Sequence, residues 1–206
     1  MKQAIAGDDQ RARSEVPFSH EVVLARAAAG LIAGVCYVAA IVLANWMLKH
    51  VGTAGVGGNH FAPVGFGLMA PSGVYAAAIA FPARDIVQRS AGRVAGAVAI
   101  VIGATISWFV SSPSLAIASG LTFLVAESVD FAVYTALWRR WFVFAVFASG
   151  IASVIVDSSL FLSLVGIPWS VALAGQIVGK TWIVLAVLPI VHGLRRIPAL
   201  RFSSST

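Results

Sequence analysis

Four ionisable side chains lie inside strongly apolar stretches of this sequence, namely Glu127, Asp130, Asp157 and Lys180. An ionised group at the centre of a bilayer costs about 2.5 to 3.5 kcal/mol even on the most lenient insertion scale, so such groups usually face a bundle interior and serve a function. Carboxylates accept hydrogen bonds in pairs, and an ammonium group donates them. The four residues therefore indicate a pocket for a cationic or N–H-rich small molecule.

The spacing of these residues predicts that they share one pocket. Glu127 and Asp130 are three positions apart, and Gln176 and Lys180 are four apart, so each pair lies on one helix face. At 1.5 Å of rise per residue, the four ionisable groups occupy a layer about 8 Å thick near the bilayer midplane. Two nearby aromatic rings are expected either to clamp a planar ligand or simply to pack. The predicted substrate-binding residues are Glu127, Asp130, Tyr134, Asp157, Gln176, Lys180 and Trp182.

A purely structural interpretation of these charges is a buried ion pair, in which Lys180 binds one acid and fixes how the helices align. That interpretation leaves two further carboxylates without a partner, so a pocket is the better prediction. No HExxH, GxSxG or phosphate-loop pattern occurs, and we expect neither enzymatic activity nor a cofactor. The four histidines lie at or beyond the ends of the apolar stretches, so we also expect no metal site.

The composition predicts that helices in a membrane position these residues. Of the 206 residues, 59% are apolar and only 11% are charged, whereas about a quarter are charged in soluble domains. Apolar windows of about 20 residues, each long enough to cross about 30 Å of hydrocarbon, recur along the chain. An open sheet would leave backbone groups unpaired in lipid, so we predict an all-α integral membrane protein. Its six transmembrane helices are expected at about 25–48, 61–81, 94–110, 115–138, 141–166 and 170–194.

The distribution of Lys and Arg predicts the orientation of this six-helix bundle. One side of the spans receives 12 of these residues and the other receives only Lys49, and the basic side is normally cytoplasmic. Both termini are thus expected in the cytoplasm, as tails at 1–24 and 196–206 around a transmembrane domain at 25–195. We expect a multi-pass protein of the cytoplasmic or inner membrane, in contact with lipid and not with nucleic acid, because topology explains the net charge of +6.

Three further features predict how the bundle is built. Pro71 lies in the middle of the second predicted span and should kink or break that helix, either beside a substrate cavity or as a plain structural kink. Asp85, near the cytoplasmic end of the same span, is expected to cap a helix or to pair with Arg84 or Arg89, in a structural or gating role. Glycines four positions apart predict close helix approaches. These pairs are Gly30/Gly34, Gly92/Gly96 and Gly175/Gly179.

Polar residues recur in a particular order near the ends and centres of the predicted spans. They are Asn45 in the sequence Ala-Asn-Trp, Asp85 four positions after Phe81, Glu127 three positions before Asp130, Asp157 followed by Ser158, and Lys180 nine positions before Pro189. Over residues 40–195 this order resembles the VUT family of small six-span membrane proteins, also called queuosine precursor transporters. The chain departs from the family pattern at Gln176, where some members carry an acid, and at Glu127, where an amide occurs.

The resemblance implies a transporter that imports a queuosine precursor, either 7-cyano-7-deazaguanine or 7-aminomethyl-7-deazaguanine, with Asn45 in a gating or structural role. A carboxylate in the pocket would accept two adjacent N–H groups of the guanine-like edge, and Lys180 or Gln176 would donate to its carbonyl group. Two alternatives stay open: a vitamin-binding S-type subunit of an ATP-driven uptake system, and a non-transporting membrane scaffold whose buried charges only pair helices. The sequence leaves the driving force and the oligomeric state open.

Overall fold

The fold is a bundle of α-helices with one small sheet at one end. The computed structural model describes residues 20–55, 58–111 and 115–194. Within these ranges the chain forms, in order, α1 His20–His50, β1 Thr53–Ala54, β2 His60–Gly65, β3 Leu68–Pro71, α2 Val74–Ala91, α3 Arg93–Val110, α4 Ala116–Leu137, α5 Phe142–Val165 and α6 Trp169–Leu194. The predicted tail at 196–206 and most of the predicted tail at 1–24 lie outside the described residues.

Five of these helices, α1, α3, α4, α5 and α6, are long and apolar enough to cross a membrane. Large apolar side chains on their surfaces are exposed, among them Leu31, Phe109 and Ile190, and such surfaces suit contact with lipid. The prediction of a multi-pass helical membrane protein is therefore confirmed at this level. The count of six spans and the cytoplasmic placement of the termini stay predictions.

The second predicted span, at 61–81, is wrong as a single helix. Its first half forms an antiparallel hairpin of β2 and β3, and β1 pairs with the start of β2. Only its second half is helical, and that helix, α2, continues to Ala91. Pro71 is the last residue of β3 and does not lie within a helix, which corrects its predicted role as a helix kink.

The local sequence explains why this segment is a hairpin. Pro63 and Pro71 lack the N–H group that the interior of a helix needs. Gly65 and Gly67 at the turn have positive φ angles of 100° and 72°, and Phe66 between them has a φ of 54°. Three successive residues in the left-handed region end any helix, and glycine adopts that region at little cost.

The hairpin lies along α6 and reaches far down that helix. A Cβ atom on Gly175 would collide with the carbonyl oxygen of Met69, and Gly179 approaches the hairpin closely as well. The predicted close approach at this glycine pair is confirmed, with a hairpin as the partner. At the hairpin tip, Phe66 stacks on Trp182 with ring centroids 6.2 Å apart. Because Trp182 lies in the middle of α6, the tip lies about 20 Å from the start of the helix at 1.5 Å per residue.

Two side chains donate hydrogen bonds to backbone carbonyl groups of β2 in the hairpin. The hydroxyl of Tyr75 donates to the carbonyl oxygen of Pro63 at 2.9 Å, and Nε1 of Trp182 donates to the carbonyl oxygen of Val64 at 3.1 Å. Irregular backbone at membrane depth is tolerated only where its polar groups are paired or buried in protein. These two bonds therefore pair backbone groups of the hairpin that lie near the surface of the bundle.

Neighbouring helices run antiparallel and define two ends of the bundle. Glycines mark the contacts: Gly34 of α1 faces Val87 of α2, and Gly150 of α5 packs on Val184 of α6. The sheet end holds the three strands, the end of α1 and the α3–α4 and α5–α6 connections. The opposite end holds the start of α1, the end of α6 and the turns at Gly92 and 138–141. We call it the terminal end. Gly92 has a φ of 91° and forms the turn between α2 and α3, whereas Gly96 lies within α3 and makes the predicted close approach, to Gln88 of α2.

Candidate functional site

A pocket opens between the helices in the half of the bundle nearer the sheet end. Its empty volume is about 620 Å³, which includes the open space at its mouth. We call it the sheet-end pocket. It is lined by Ile41, Ala44, Asn45, Leu48, Pro71, Gly73, Val74, Ala77, Ala80, Ser107, Ser119, Thr122, Phe123, Asp157, Phe161, Gln176 and Lys180.

One wall of this pocket carries a lysine with three polar partners. Nζ of Lys180 contacts the carboxylate of Asp157, lies 2.9 Å from Oε1 of Gln176 and lies 3.4 Å from Oγ of Ser158. We call these four residues the Lys180 cluster. Lys180 is buried, whereas the Asp157 side chain keeps 16% of its surface exposed. The carboxylate therefore faces the pocket with acceptor capacity beyond its bond to the ammonium group.

The opposite wall carries amide and hydroxyl groups from α1, α3 and α4. Oδ1 of Asn45 accepts hydrogen bonds from Ser111 at 2.7 Å and from Ser119 at 3.3 Å, and the Ser119 hydroxyl also meets that of Ser107 at 2.7 Å. Thr122 is buried, and its hydroxyl has no hydrogen-bond partner among the described residues. A ligand would thus meet polar groups on two facing walls, with Phe123 and other apolar side chains between them.

A second group of charges lies deeper in the bundle and centres on Arg84 of α2. Nε of Arg84 donates to Glu127 at 3.0 Å, Nη1 donates to Gln88 at 2.8 Å, and Nη2 donates to Asp130. Nη1 also lies 3.0 Å from the carboxylate of Asp85. We call these five residues the Arg84 cluster. All four charged side chains are at most 2% exposed, so this cluster is closed to solvent.

The Arg84 cluster lies one helical turn below the sheet-end pocket. On α2, Ala80 lines the pocket and Arg84 follows four positions later; on α4, Phe123 lines it and Glu127 follows four positions later. Ser153 of α5, which contacts Asp130 at 3.4 Å, is one turn from the pocket residue of the same helix. Four residues span about 6 Å along a helix. The two clusters are therefore separate but adjacent.

The structure brings together some of the predicted site residues and separates others. Asp157, Gln176 and Lys180 meet in the sheet-end pocket, which Asn45 and Pro71 also line. Glu127 and Asp130 do not line this pocket, because both are bound to a guanidinium that sequence reasoning placed elsewhere. The predicted single cavity for all four ionisable groups is thus replaced by two neighbouring clusters. The predicted pairing of Asp85 with Arg84 is confirmed.

The two predicted aromatic residues lie away from the pocket. Tyr134 packs against Trp138 and Phe142 near the terminal end, with ring centroids 5.7 Å and 6.5 Å away. Trp182 is 46% exposed on the outside of α6 and binds the hairpin. Neither ring lines the sheet-end pocket; Phe123 and Phe161 are the aromatic side chains that do.

Sequence reasoning missed Arg84, the residue that compensates the buried acids. It was assigned to a cytoplasmic flank because the second span was expected to end at residue 81. The continuing helical spacing was a usable signal: Ala80, Arg84 and Gln88 follow at four-residue intervals and therefore share one face of α2. A buried basic residue on that face is the natural partner for two acids on a neighbouring helix.

No known family model, curated protein or solved structure matches this chain.

Proposed function

We propose that this chain is a membrane transporter that takes up a small planar heterocycle, a queuosine precursor such as 7-cyano-7-deazaguanine, through the sheet-end pocket. The observation that carries the proposal is the Lys180 cluster, in which a buried ammonium, a part-exposed carboxylate and an amide face one cavity inside a membrane bundle. Buried charges that face a cavity in a membrane protein commonly mark a solute pathway.

The polar groups of the pocket complement the edge of a guanine-like ring. The Asp157 carboxylate accepts hydrogen bonds from two adjacent N–H groups, and Lys180 or Gln176 donates to the neighbouring carbonyl group. Across the pocket, Thr122 and Asn45 offer partners for the opposite edge of the ring. The apolar surface between the walls suits the flat faces of a heterocycle.

The position of the pocket fits uptake under the predicted orientation. With both termini in the cytoplasm, the sheet end faces the outside, so the pocket receives solute from that side. A transporter must then open the same site to the other side, which is usual for sites near the midplane between packed helices. The hairpin and the start of α2, which supply Pro71, Gly73 and Val74 to the lining, are the elements whose movement would change access.

Uptake in cells tests the proposal directly. Labelled 7-cyano-7-deazaguanine should accumulate in cells that lack both its synthesis and their own uptake system once this chain is present. Asp157→Asn and Lys180→Met should abolish the accumulation, whereas Lys49→Met, an exposed lysine outside the pocket, should not. Equal uptake by all three variants would show that the Lys180 cluster does not bind the transported solute.

Binding to the purified protein separates the proposal from its two rivals. A ligand that binds only the folded state raises the melting temperature in proportion to the logarithm of its concentration. The deazapurine should stabilise the protein more than purines or vitamins do. Stabilisation by a vitamin together with co-purifying ATPases would favour an S-type subunit, and no stabilisation by any of these solutes would favour a scaffold.

A further inference from the structure

We propose that the Arg84 cluster is a proton-binding site, in which Asp85 and Asp130 share a proton, and that this site couples solute uptake to proton movement. The second half of this proposal rests on the proposed function. The first half rests on the charges and contacts of the cluster alone.

The charge balance of the cluster requires a proton. Three carboxyl groups, those of Asp85, Glu127 and Asp130, surround one guanidinium group, and all are at most 2% exposed. If every acid were ionised, the cluster would carry two uncompensated negative charges in a medium that solvates them poorly. Arg89, one turn further along α2, lies over the ring of Phe142. Even if its charge is counted, one carboxylate remains in excess.

The contact between two carboxyl groups shows where a proton fits. Asp85 and Asp130 contact the same guanidinium group, through Nη1 and Nη2 of Arg84, which brings their carboxyl groups together, and two ionised carboxylates have no hydrogen to share. Among the described residues, no donor makes a well-aligned hydrogen bond to either oxygen of Asp85, and Oε1 of Glu127 also lacks one. A proton between Asp85 and Asp130 supplies the missing donor, as it does in other pairs of adjacent carboxyl groups.

Apart from Arg89, the groups that the structure describes next to the cluster add no positive charge to it; Arg26 of α1 lies beside Arg89 and is not among the ion pairs of the three carboxyl groups. From α1, the hydroxyl of Tyr37 is occupied in donating to the carbonyl oxygen of Ala99 at 3.0 Å. From α4, the ring of Tyr134 has its centroid 5.8 Å from the guanidinium carbon of Arg84 and bears no positive charge. From α5, the contact is the hydroxyl of Ser153. Lys180 of α6 belongs to the other cluster, where it pairs with its own acid.

The location of the cluster links the proton to the solute. Helices α2 and α4 each contribute to the pocket and, one turn below, to the Arg84 cluster, and Ser153 of α5 contacts Asp130 one turn below the pocket residue Asp157. Rearrangement of these helices between outward and inward access therefore changes the surroundings of the shared proton. Binding of the proton and access to the pocket then depend on the same helix arrangement, which is the requirement for coupling.

Infrared spectroscopy tests the proton site without any solute. A protonated carboxyl group has a carbonyl stretch that is distinct from the bands of a carboxylate and that shifts in D₂O. The purified wild-type protein at pH 7 should show such a band, and Asp85→Asn and Asp130→Asn should each remove or shift it. Asp157→Asn, the matched change in the Lys180 cluster, should leave it in place. If the wild-type protein shows no such band at pH 7, the proton site is overturned, whether or not the variants fold.

Proteoliposomes test the coupling. With an inside-alkaline gradient, labelled 7-cyano-7-deazaguanine should accumulate about tenfold above equilibrium for each pH unit if one proton moves with each solute. Asp85→Asn should lose this accumulation. Uptake that ignores the gradient overturns the coupling and leaves the proposed transport intact. Absence of any uptake overturns both the transport of this solute and the coupling, while the infrared band still decides the proton site.

Discussion

The two ion clusters of this bundle use similar chemistry but differ in their access to solvent. Arg84 is fully buried and all of its partners are protein groups, whereas the acid of the Lys180 cluster is 16% exposed to a pocket of about 620 Å³. Arginine offers five donors in a rigid fork, and lysine is a compact charge with three rotatable donors. The closed arginine thus ties α2 to two acids of α4, and the open lysine is able to exchange a protein partner for a solute.

The largest expected effect comes from removing the centre of the closed cluster. Arg84→Met leaves three buried carboxyl groups without their guanidinium, and breaking a buried ion pair in this way typically costs about 3–5 kcal/mol. We expect a correspondingly lower free energy of unfolding for the purified protein, measured by denaturant titration in detergent. Arg93→Met changes the same residue type at an exposed position and should cost under about 0.5 kcal/mol. Equal stability of the two variants would show that the acids do not need Arg84.

A smaller loss of stability but a large loss of affinity for the solute is expected from the open cluster. Lys180→Met leaves Asp157 unpaired, yet this carboxylate faces the pocket and water reaches it, so the cost should be about 1–3 kcal/mol. Affinity for the deazapurine should fall tenfold or more, because a charged hydrogen bond to the ligand is lost. Melting temperatures with and without the solute measure both effects.

A double variant separates the stability of the Lys180 cluster from its binding of the solute. Lys180→Met combined with Asp157→Asn removes both charges, so it should be more stable than Lys180→Met alone while still failing to bind the solute. Recovery of binding in the double variant would mean that the Lys180 cluster only pairs α5 with α6.

The difference between the clusters also shows which parts of the fold and of the site can be predicted from the sequence. The five apolar helices and the meeting of Asp157, Gln176 and Lys180 follow from window length and helical spacing, which depend only on local sequence. The hairpin at 60–71 did not follow, because a short apolar run does not distinguish a buried strand from part of a helix. That error moved Arg84 out of the predicted bundle and left Glu127 and Asp130 without their actual partner.

An intermediate effect is expected where the hairpin packs on α6. Gly175→Ala places a methyl group against the carbonyl oxygen of Met69, and overpacking of this kind usually costs about 1–3 kcal/mol. Because β3 ends at Pro71, which lines the pocket together with Gly73, the displaced strand should also weaken solute binding. Gly193→Ala on the same helix has nothing within 4 Å of the new methyl group. It should leave both stability and binding nearly unchanged, and a similar loss in both variants would rule out steric displacement of the hairpin.

The smallest expected effect separates the hairpin contact from the solute site. Trp182→Phe removes the donor to the carbonyl oxygen of Val64, and leaving one acceptor unsatisfied costs about 1 kcal/mol where water does not reach it. Trp169→Phe removes a comparable bond, to Ser163 at 3.1 Å, at an exposed position near the start of α6; water replaces this bond, so its loss should cost less. Neither ring lines the pocket, so the affinity for the deazapurine should be the same in both variants and in the wild-type protein. A tenfold loss of affinity in Trp182→Phe alone would place that ring at the solute after all, and the pocket would then extend beneath the hairpin.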